Sequence, residues 1–98
     1  MINDNQHQEL FDEILQAQSE KYSLVLINDN HNTFDYVIEC LTQVCNHTPE
    51  QAEQCALITH YNGKCEIKLG SKTDLTHLKE ILQEMGLSVV IEKMTKNA

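Results

Sequence analysis

The chain has 98 residues, of which 41% are hydrophobic, and its net charge of −8 suits one small acidic domain. Such a surface argues against nucleic-acid binding, which depends on clustered Lys and Arg. No apolar stretch approaches the ~20 residues that span a bilayer, and no signal pattern opens the chain, so we expect a cytoplasmic protein without a membrane partner.

Residues 1–21 are polar and rich in Gln, Asn and Glu, which predicts a flexible N-terminal extension. The alternative is a short amphipathic helix, because four apolar residues lie at suitable spacings: Leu10, Phe11, Ile14 and Leu15. Residues 22–94 form the predicted folded domain, and residues 95–98 form a C-terminal tail.

The apolar run Leu24–Ile27 predicts a buried strand, and Asn28 and Asp29 follow where that strand leaves the core. Asn32 is the predicted N-cap of the first helix. That helix carries one apolar stripe at helical spacing, formed by Val37, Cys40, Leu41, Val44 and Cys45.

A second helix begins at Thr48, because Thr48 and Gln51 match a capping box and Pro49 suits the first helical position. His60 lies near its end, just before the turn at Gly63. The predicted buried stripe of this helix has small side chains, namely Ala52, Cys55, Ala56 and Thr59.

The segment Cys65–Leu69 alternates strictly between apolar and charged residues, which predicts a half-buried strand. A third helix ends at Gly86, and Val89–Ile91 forms the last strand. The order β-α-α-β-α-β predicts a single α/β domain of the α+β type, with a three-stranded sheet packed against three helices.

Asn28, Asp29 and His60 all lie at element ends, where an amide, a carboxylate and a neutral imidazole could together accept hydrogen bonds from one protonated amine. Two ordinary explanations compete with this site. Asn-Asp pairs commonly form turns, and a histidine can simply end a helix.

Catalysis has less support than binding. The sequence lacks a nucleophile elbow, a phosphate-binding glycine loop, a zinc-protease motif and a Cys-x-x-Cys pair, so we predict no catalytic residue, no metal and no cofactor. A thiol-dependent enzyme that pairs a cysteine with His60 or His47 is one alternative, and a general acidic interaction domain is another. The candidate thiols are Cys40, Cys45, Cys55 and Cys65.

Two segments, Ile27–Ile38 and Gln51–Lys64, resemble the signature motifs of the ClpS family. The resemblance extends from Tyr22 to about Met94. It implies an adaptor, without enzyme activity, that recognises N-degrons and hands these substrate proteins to a Clp AAA+ unfoldase of the ClpA or ClpC type. It also implies that residues 1–21 could assist delivery, and nothing in the pattern demands more than a monomer.

By this resemblance, Asn28, Asp29 and His60 hold the α-amino group of the substrate. The first side chain of the substrate enters an apolar pocket whose walls match Asn32, Phe34, Val37, Ala56, Thr59 and Val89. Three positions and one connection depart from the family pattern. Asn32 stands where a threonine is common, which can also cap a helix, and the connection between Leu69 and Leu75 is shorter than in many relatives. Asn30 replaces a common second aspartate, and Phe34 replaces a methionine, which leaves the preferred first residue open.

Overall fold

A computed structural model describes residues 21–94 and has the predicted order β-α-α-β-α-β. The strands are β1 (Tyr22–Ile27), β2 (Lys64–Gly70) and β3 (Val89–Lys93). The helices are α1 (Phe34–Val44), α2 (Pro49–Asn62) and α3 (Lys72–Glu84). Apart from Lys21, the predicted N-terminal extension lies outside the described residues, and so does the predicted tail at 95–98.

β1 is the central strand of an antiparallel sheet with the order β2-β1-β3. This position suits its apolar run, because residues 23–26 are all buried and the backbone of a central strand is paired on both sides. Leu24 and Leu26 join one hydrophobic core with buried side chains from all three helices. The predicted packing of three helices against a three-stranded sheet is confirmed.

The alternation predicted for β2 holds only in part. Ile67 is buried, but Leu69 is 46% exposed. The reason is a shift in register, because Leu24 pairs with Lys68 whereas Val25 pairs with Glu66, which leaves Ile67 as an extra residue. A bulge of this kind reverses the face to which the following residues point. Leu69 therefore shares the face of Ser23, away from the helices.

The prediction that Asn32 caps α1 is wrong, and Thr33 caps the helix instead. Thr33 has extended backbone angles (φ −73°, ψ 156°), and its hydroxyl accepts a hydrogen bond from Tyr36 N at 3.1 Å. The Asn32 side chain is engaged elsewhere, since its Nδ2 donates to Asp29 Oδ2 and to the Gly86 carbonyl, both at 2.9 Å. The bond from Asn32 to Gly86 joins residues 54 positions apart in sequence, and it accounts for why Thr33 rather than Asn32 caps the helix.

Replacing Thr33 by alanine is expected to lower the free energy of unfolding by about 0.5–2 kcal/mol, the usual effect of losing a helix N-cap. Urea denaturation measures this loss. Thr33→Ser is the matched control, because it keeps the hydroxyl and should recover most of the stability. Equal stability of Thr33→Ala and the wild type would show that the cap bond contributes nothing.

α2 has the predicted capping box, in which the Thr48 hydroxyl accepts from Gln51 N and the Gln51 side chain accepts from Thr48 N, with Pro49 at the helix start. It ends at Gly63, whose φ of +93° is easily reached only by a residue without a Cβ. The Gly63 carbonyl accepts from Asn28 N at 2.9 Å, which ties the end of α2 to the end of β1.

The turn after α3 leads into β3 and is tied to the same end of β1. Gly86 has a φ of +91°, and Ser88 O accepts a hydrogen bond from Ile27 N at 2.8 Å. The end of β1 is therefore held from both sides, by the end of α2 and by the approach to β3. None of the helices within residues 21–94 combines the length and the apolar character needed to cross a membrane.

Candidate functional site

A cavity of about 80 Å³ opens where β1 leaves the sheet, between the loop after β1, the start of α1 and the last turns of α2. Polar side chains line one part of it and apolar side chains line the rest. The lining residues are Leu26, Ile27, Asn28, Asp29, Asn32, Phe34, Val37, Ala56, Thr59, His60 and Leu87. The three residues of the predicted amino-group site are thus brought together, although His60 is more than thirty residues from Asn28 in sequence.

The Asp29 carboxylate is held by four hydrogen bonds. Oδ1 accepts from His31 N at 3.0 Å and from Asn32 N at 3.1 Å, while Oδ2 accepts from Asn32 Nδ2 at 2.9 Å and from Ser88 Oγ at 3.0 Å. A carboxylate has about four acceptor positions, so all of them are occupied. The turn interpretation of the Asn-Asp pair is therefore correct for Asp29, and the same residue also lines the cavity.

The electrostatics of Asp29 follow from this arrangement. Partial burial alone would raise the pKa of its carboxyl, but the hydrogen bonds from His31, Asn32 and Ser88 together outweigh that effect and hold the pKa below its ordinary value. Asp29 is therefore a fixed negative charge at neutral pH. This charge faces a cavity that a ligand can reach from solvent.

The Asn28 amide and the His60 ring remain available to a ligand. Both side chains are exposed, and neither makes a side-chain hydrogen bond to another residue within 21–94. The His60 ring contacts the Tyr61 ring edge-on, with 5.0 Å between their centroids. His60 also lies in the last turn of α2, where the unpaired carbonyls of the helix carry partial negative charge. This part of the cavity is suited to a cation.

The apolar part of the cavity lies beside these acceptors. Ala56 is only 5% exposed and leaves space next to Val37 and Leu87. Thr59 contributes no unpaired polar atom here, because its hydroxyl donates to the Cys55 carbonyl at 2.8 Å. Phe34, which is 39% exposed at the start of α1, stands at the rim. The cavity can therefore receive a cationic group and an apolar group side by side.

The lining includes eight of the nine residues predicted for the site, and Val89 is the exception. Val89 pairs with Leu26 in the sheet and is 4% exposed within the hydrophobic core. Leu87, two residues earlier, lines the cavity in its place, together with Leu26 and Ile27. The available signal for Leu87 was an apolar residue directly after Gly86, in a turn that returns toward β1.

The thiol-dependent alternative gains no support from this geometry, because no cysteine lines the cavity. His47 shares a separate groove with Cys55 and Cys65, but its Nε2 is bonded to the Ile67 carbonyl at 3.0 Å. Burial, reinforced by Cys65, raises the pKa of Cys55 to about 12, which opposes formation of a nucleophilic thiolate. Within residues 21–94, no three His, Cys, Asp or Glu side chains form a group that could hold a metal ion.

Comparison with protein families supports an adaptor. The family model "ATP-dependent Clp protease adaptor protein ClpS" matches residues 17–90. The ClpS adapter protein of Wolinella succinogenes is 28% identical over 91 residues, which cover 87% of this chain and 89% of that protein. The ClpS adapter protein of Neisseria meningitidis is 34% identical over 61 residues, or 62% of this chain and 59% of that protein.

A further relative and a solved structure extend the comparison. The E3 ubiquitin-protein ligase ubr-1 of Caenorhabditis elegans is 36% identical over 66 residues, which cover 67% of this chain but only 3% of the ligase. The chain thus spans less than two thirds of both the ligase and the Neisseria protein. The structure of Agrobacterium tumefaciens ClpS2 bound to L-phenylalaninamide has a TM-score of 0.68 at 16% identity, covering 76% of this chain and 98% of that one. It has the same fold.

Proposed function

Because the chain belongs to the ClpS adaptor family, we propose that it binds proteins through a free, bulky hydrophobic N-terminal residue and delivers them to a Clp-type AAA+ unfoldase. One observation carries this proposal, namely that Asn28, Asp29 and His60 lie together beside an apolar cavity. A protein N-terminus presents the matching pair of groups, an α-ammonium and the first side chain, on one and the same Cα atom. An internal peptide segment has no α-ammonium, and a lysine ammonium lies at the far end of its own side chain.

The ammonium would be recognised by acceptors and by charge. It has three donors and no acceptor, so the Asn28 amide oxygen and a neutral His60 ring nitrogen can each accept one hydrogen bond. Asp29, whose acceptor positions are already filled, would act through its negative charge. Hydrogen bonds to charged groups are worth about 1.5–3 kcal/mol each, so this half of the site would supply much of the affinity.

The first side chain of the substrate would enter the apolar part between Val37, Ala56 and Leu87. Burying one large apolar side chain contributes about 1.5–3 kcal/mol. The cavity of about 80 Å³ is smaller than the roughly 150 Å³ apolar cavity that accepts benzene in an engineered protein. We therefore propose a leucine-sized side chain as the first residue to test, with Phe34 at the rim beside it. Together with the amine contacts, and after association costs, this predicts micromolar affinity.

The proposal extends to partners and location. The Agrobacterium protein binds L-phenylalaninamide, which combines a free amine with a bulky side chain and so supports the same ligand class here. The relatives named as ATP-dependent Clp protease adapters support a Clp-type unfoldase as the recipient, and we propose that it is of the ClpA or ClpC type. The proposed location is the cytoplasm, which the four free cysteines support because disulfides are rare there.

A reconstituted degradation assay tests the delivery step. A reporter protein that begins with leucine is incubated with a Clp-type unfoldase and its peptidase, with and without this chain. The chain should accelerate degradation of the leucine reporter and leave a valine-initiated reporter unchanged. Equal acceleration of both reporters would contradict recognition of a bulky first residue.

A further inference from the structure

Ser88 is far from Asp29 in sequence but contacts its carboxylate in the fold. It lies 59 residues away in sequence, in the turn that leads into β3, and its hydroxyl donates to Asp29 Oδ2 at 3.0 Å. Its own backbone is fixed, since the Ser88 carbonyl accepts from Ile27 N at 2.8 Å. Ser88 is not among the residues that line the cavity, so its hydroxyl would act on a ligand through its hydrogen-bond partner Asp29.

The two carboxylate oxygens of Asp29 are held by different parts of the fold. Oδ1 is bonded only within its own loop, to His31 N and Asn32 N. Oδ2 is bonded to Asn32 Nδ2 and to Ser88, and Ser88 is the one donor to Asp29 from outside residues 29–32 in the described part of the chain. The Ser88 hydroxyl therefore fixes the carboxylate relative to the sheet rather than relative to its own loop.

We propose that Ser88 is a positioning residue for the amino-group site, whose hydroxyl holds Asp29 in place beside the cavity and favours its charged form. The inference rests on the proposed function for the identity of the ligand. A hydroxyl that donates to a carboxylate stabilises the ionised state, so its removal should make Asp29 easier to protonate. The direction of the Asp29 pKa shift agrees, because Ser88 is among the groups that lower it.

The same chemistry occurs at a second place in the chain, which provides a matched control. The Ser23 hydroxyl donates to Glu66 Oε1 at 2.9 Å, and neither residue lines the cavity. Ser23→Ala therefore removes a serine-carboxylate hydrogen bond of nearly the same length without touching the proposed site. Ser88→Thr keeps the hydroxyl, and Ser88→Cys replaces it with a weak donor of similar size.

The first measurement needs no ligand. The carboxyl carbon of Asp29 is followed by NMR during a pH titration of the peptide-free protein, in the wild type and in each variant. His60, the other titratable side chain that lines the cavity, and His31 in the adjacent loop are followed in parallel. Asp29 should titrate at higher pH in Ser88→Ala, at intermediate pH in Ser88→Cys, and as in the wild type in Ser88→Thr and Ser23→Ala.

The second measurement is the Kd of a leucine-initiated peptide at pH 7. Ser88→Ala should weaken binding about five- to tenfold, while Ser88→Thr and Ser23→Ala bind normally. This loss is smaller than the roughly 10- to 150-fold effect of removing a hydrogen bond to a charged ligand group, because Ser88 acts through Asp29 and three other bonds still hold that carboxylate. An unchanged Asp29 titration in both Ser88→Ala and Ser88→Cys would overturn the inference. Failure of the wild type to bind the peptide would instead overturn the proposed function, and the titration would still decide the role of Ser88.

Discussion

Asp29→Ala should weaken binding of a leucine-initiated peptide about 30- to 150-fold, which corresponds to roughly 2–3 kcal/mol. Two losses add up. The ammonium loses the fixed negative charge beside the cavity, and the loop loses the acceptor for His31 N and Asn32 N. The second loss should also lower the free energy of unfolding by about 1–2 kcal/mol. Fluorescence anisotropy measures the affinity, and urea denaturation measures the stability.

Two variants separate these losses. Asp29→Asn keeps one oxygen for the loop and removes the charge, so it should still weaken binding by about tenfold or more. Asp74→Asn removes one negative charge in the first turn of α3, outside the cavity, and should leave binding unchanged. Wild-type affinity of a folded Asp29→Ala variant would show that Asp29 is a turn residue and nothing more.

The lowered pKa of Asp29 fixes the direction of its pH dependence. The carboxyl is harder to protonate in the folded chain than in the unfolded chain, so its contribution to stability is present at neutral pH. This contribution diminishes as the pH falls below the ordinary aspartate value and is lost once the pH drops through the lowered folded pKa. Peptide binding through Asp29 should lose affinity in the same acidic range.

Ala56→Leu should weaken binding of the same peptide about 10- to 150-fold, because the new side chain fills the space proposed for the first residue of the substrate. This change in affinity corresponds to the roughly 1.5–3 kcal/mol that is gained by burying one apolar side chain. The variant should remain folded, since the added carbons enter an existing cavity rather than a filled core. Anisotropy gives the affinity, and thermal unfolding gives the stability.

Gln54→Leu is the matched control for this substitution. It places a leucine on the same helix at an exposed position that does not line the cavity, so binding should match the wild type. Normal binding by a folded Ala56→Leu variant would mean that the substrate side chain occupies another place.

The elements of the fold were predictable where their signals are local. The capping box of Thr48 and Gln51, together with Pro49, defines the start of α2 within four residues of sequence. Gly63 and Gly86 end helices because each adopts a positive φ. These features depend only on residues that are near one another in sequence, so the sequence alone is enough to predict them.

The errors arose where distant contacts decide the outcome. Asn32 and Thr33 are both good N-cap residues, but Thr33 caps the helix while the Asn32 side chain is bonded to Asp29 and to the distant Gly86 carbonyl. Leu69 follows the alternation of β2, but a bulge against β1 turns it to the opposite face. A pattern within one strand does not reveal how the neighbouring strand pairs with it.

The sequence predicts which residues belong to the candidate site better than it predicts how they contact one another. Their positions at element ends suggested that Asn28, Asp29 and His60 could form one site, but spacing alone did not decide between that site and an ordinary turn. The family resemblance favoured the site. The geometry assigns both roles to Asp29, whose carboxylate holds its loop and lines the cavity. Ser88 had no signal, because its bond to Asp29 spans 59 residues.

Recognition of a free N-terminus is tested most directly by comparing two peptides that differ in one group. Both begin with leucine, and one carries a free α-amine while the other is N-acetylated. Acetylation removes the positive charge and two of the donors that Asn28, Asp29 and His60 would recognise, but leaves the leucine side chain intact. We expect micromolar binding of the free peptide and no saturable binding of the acetylated one. Equal affinity for both peptides would show that the α-amino group is not recognised.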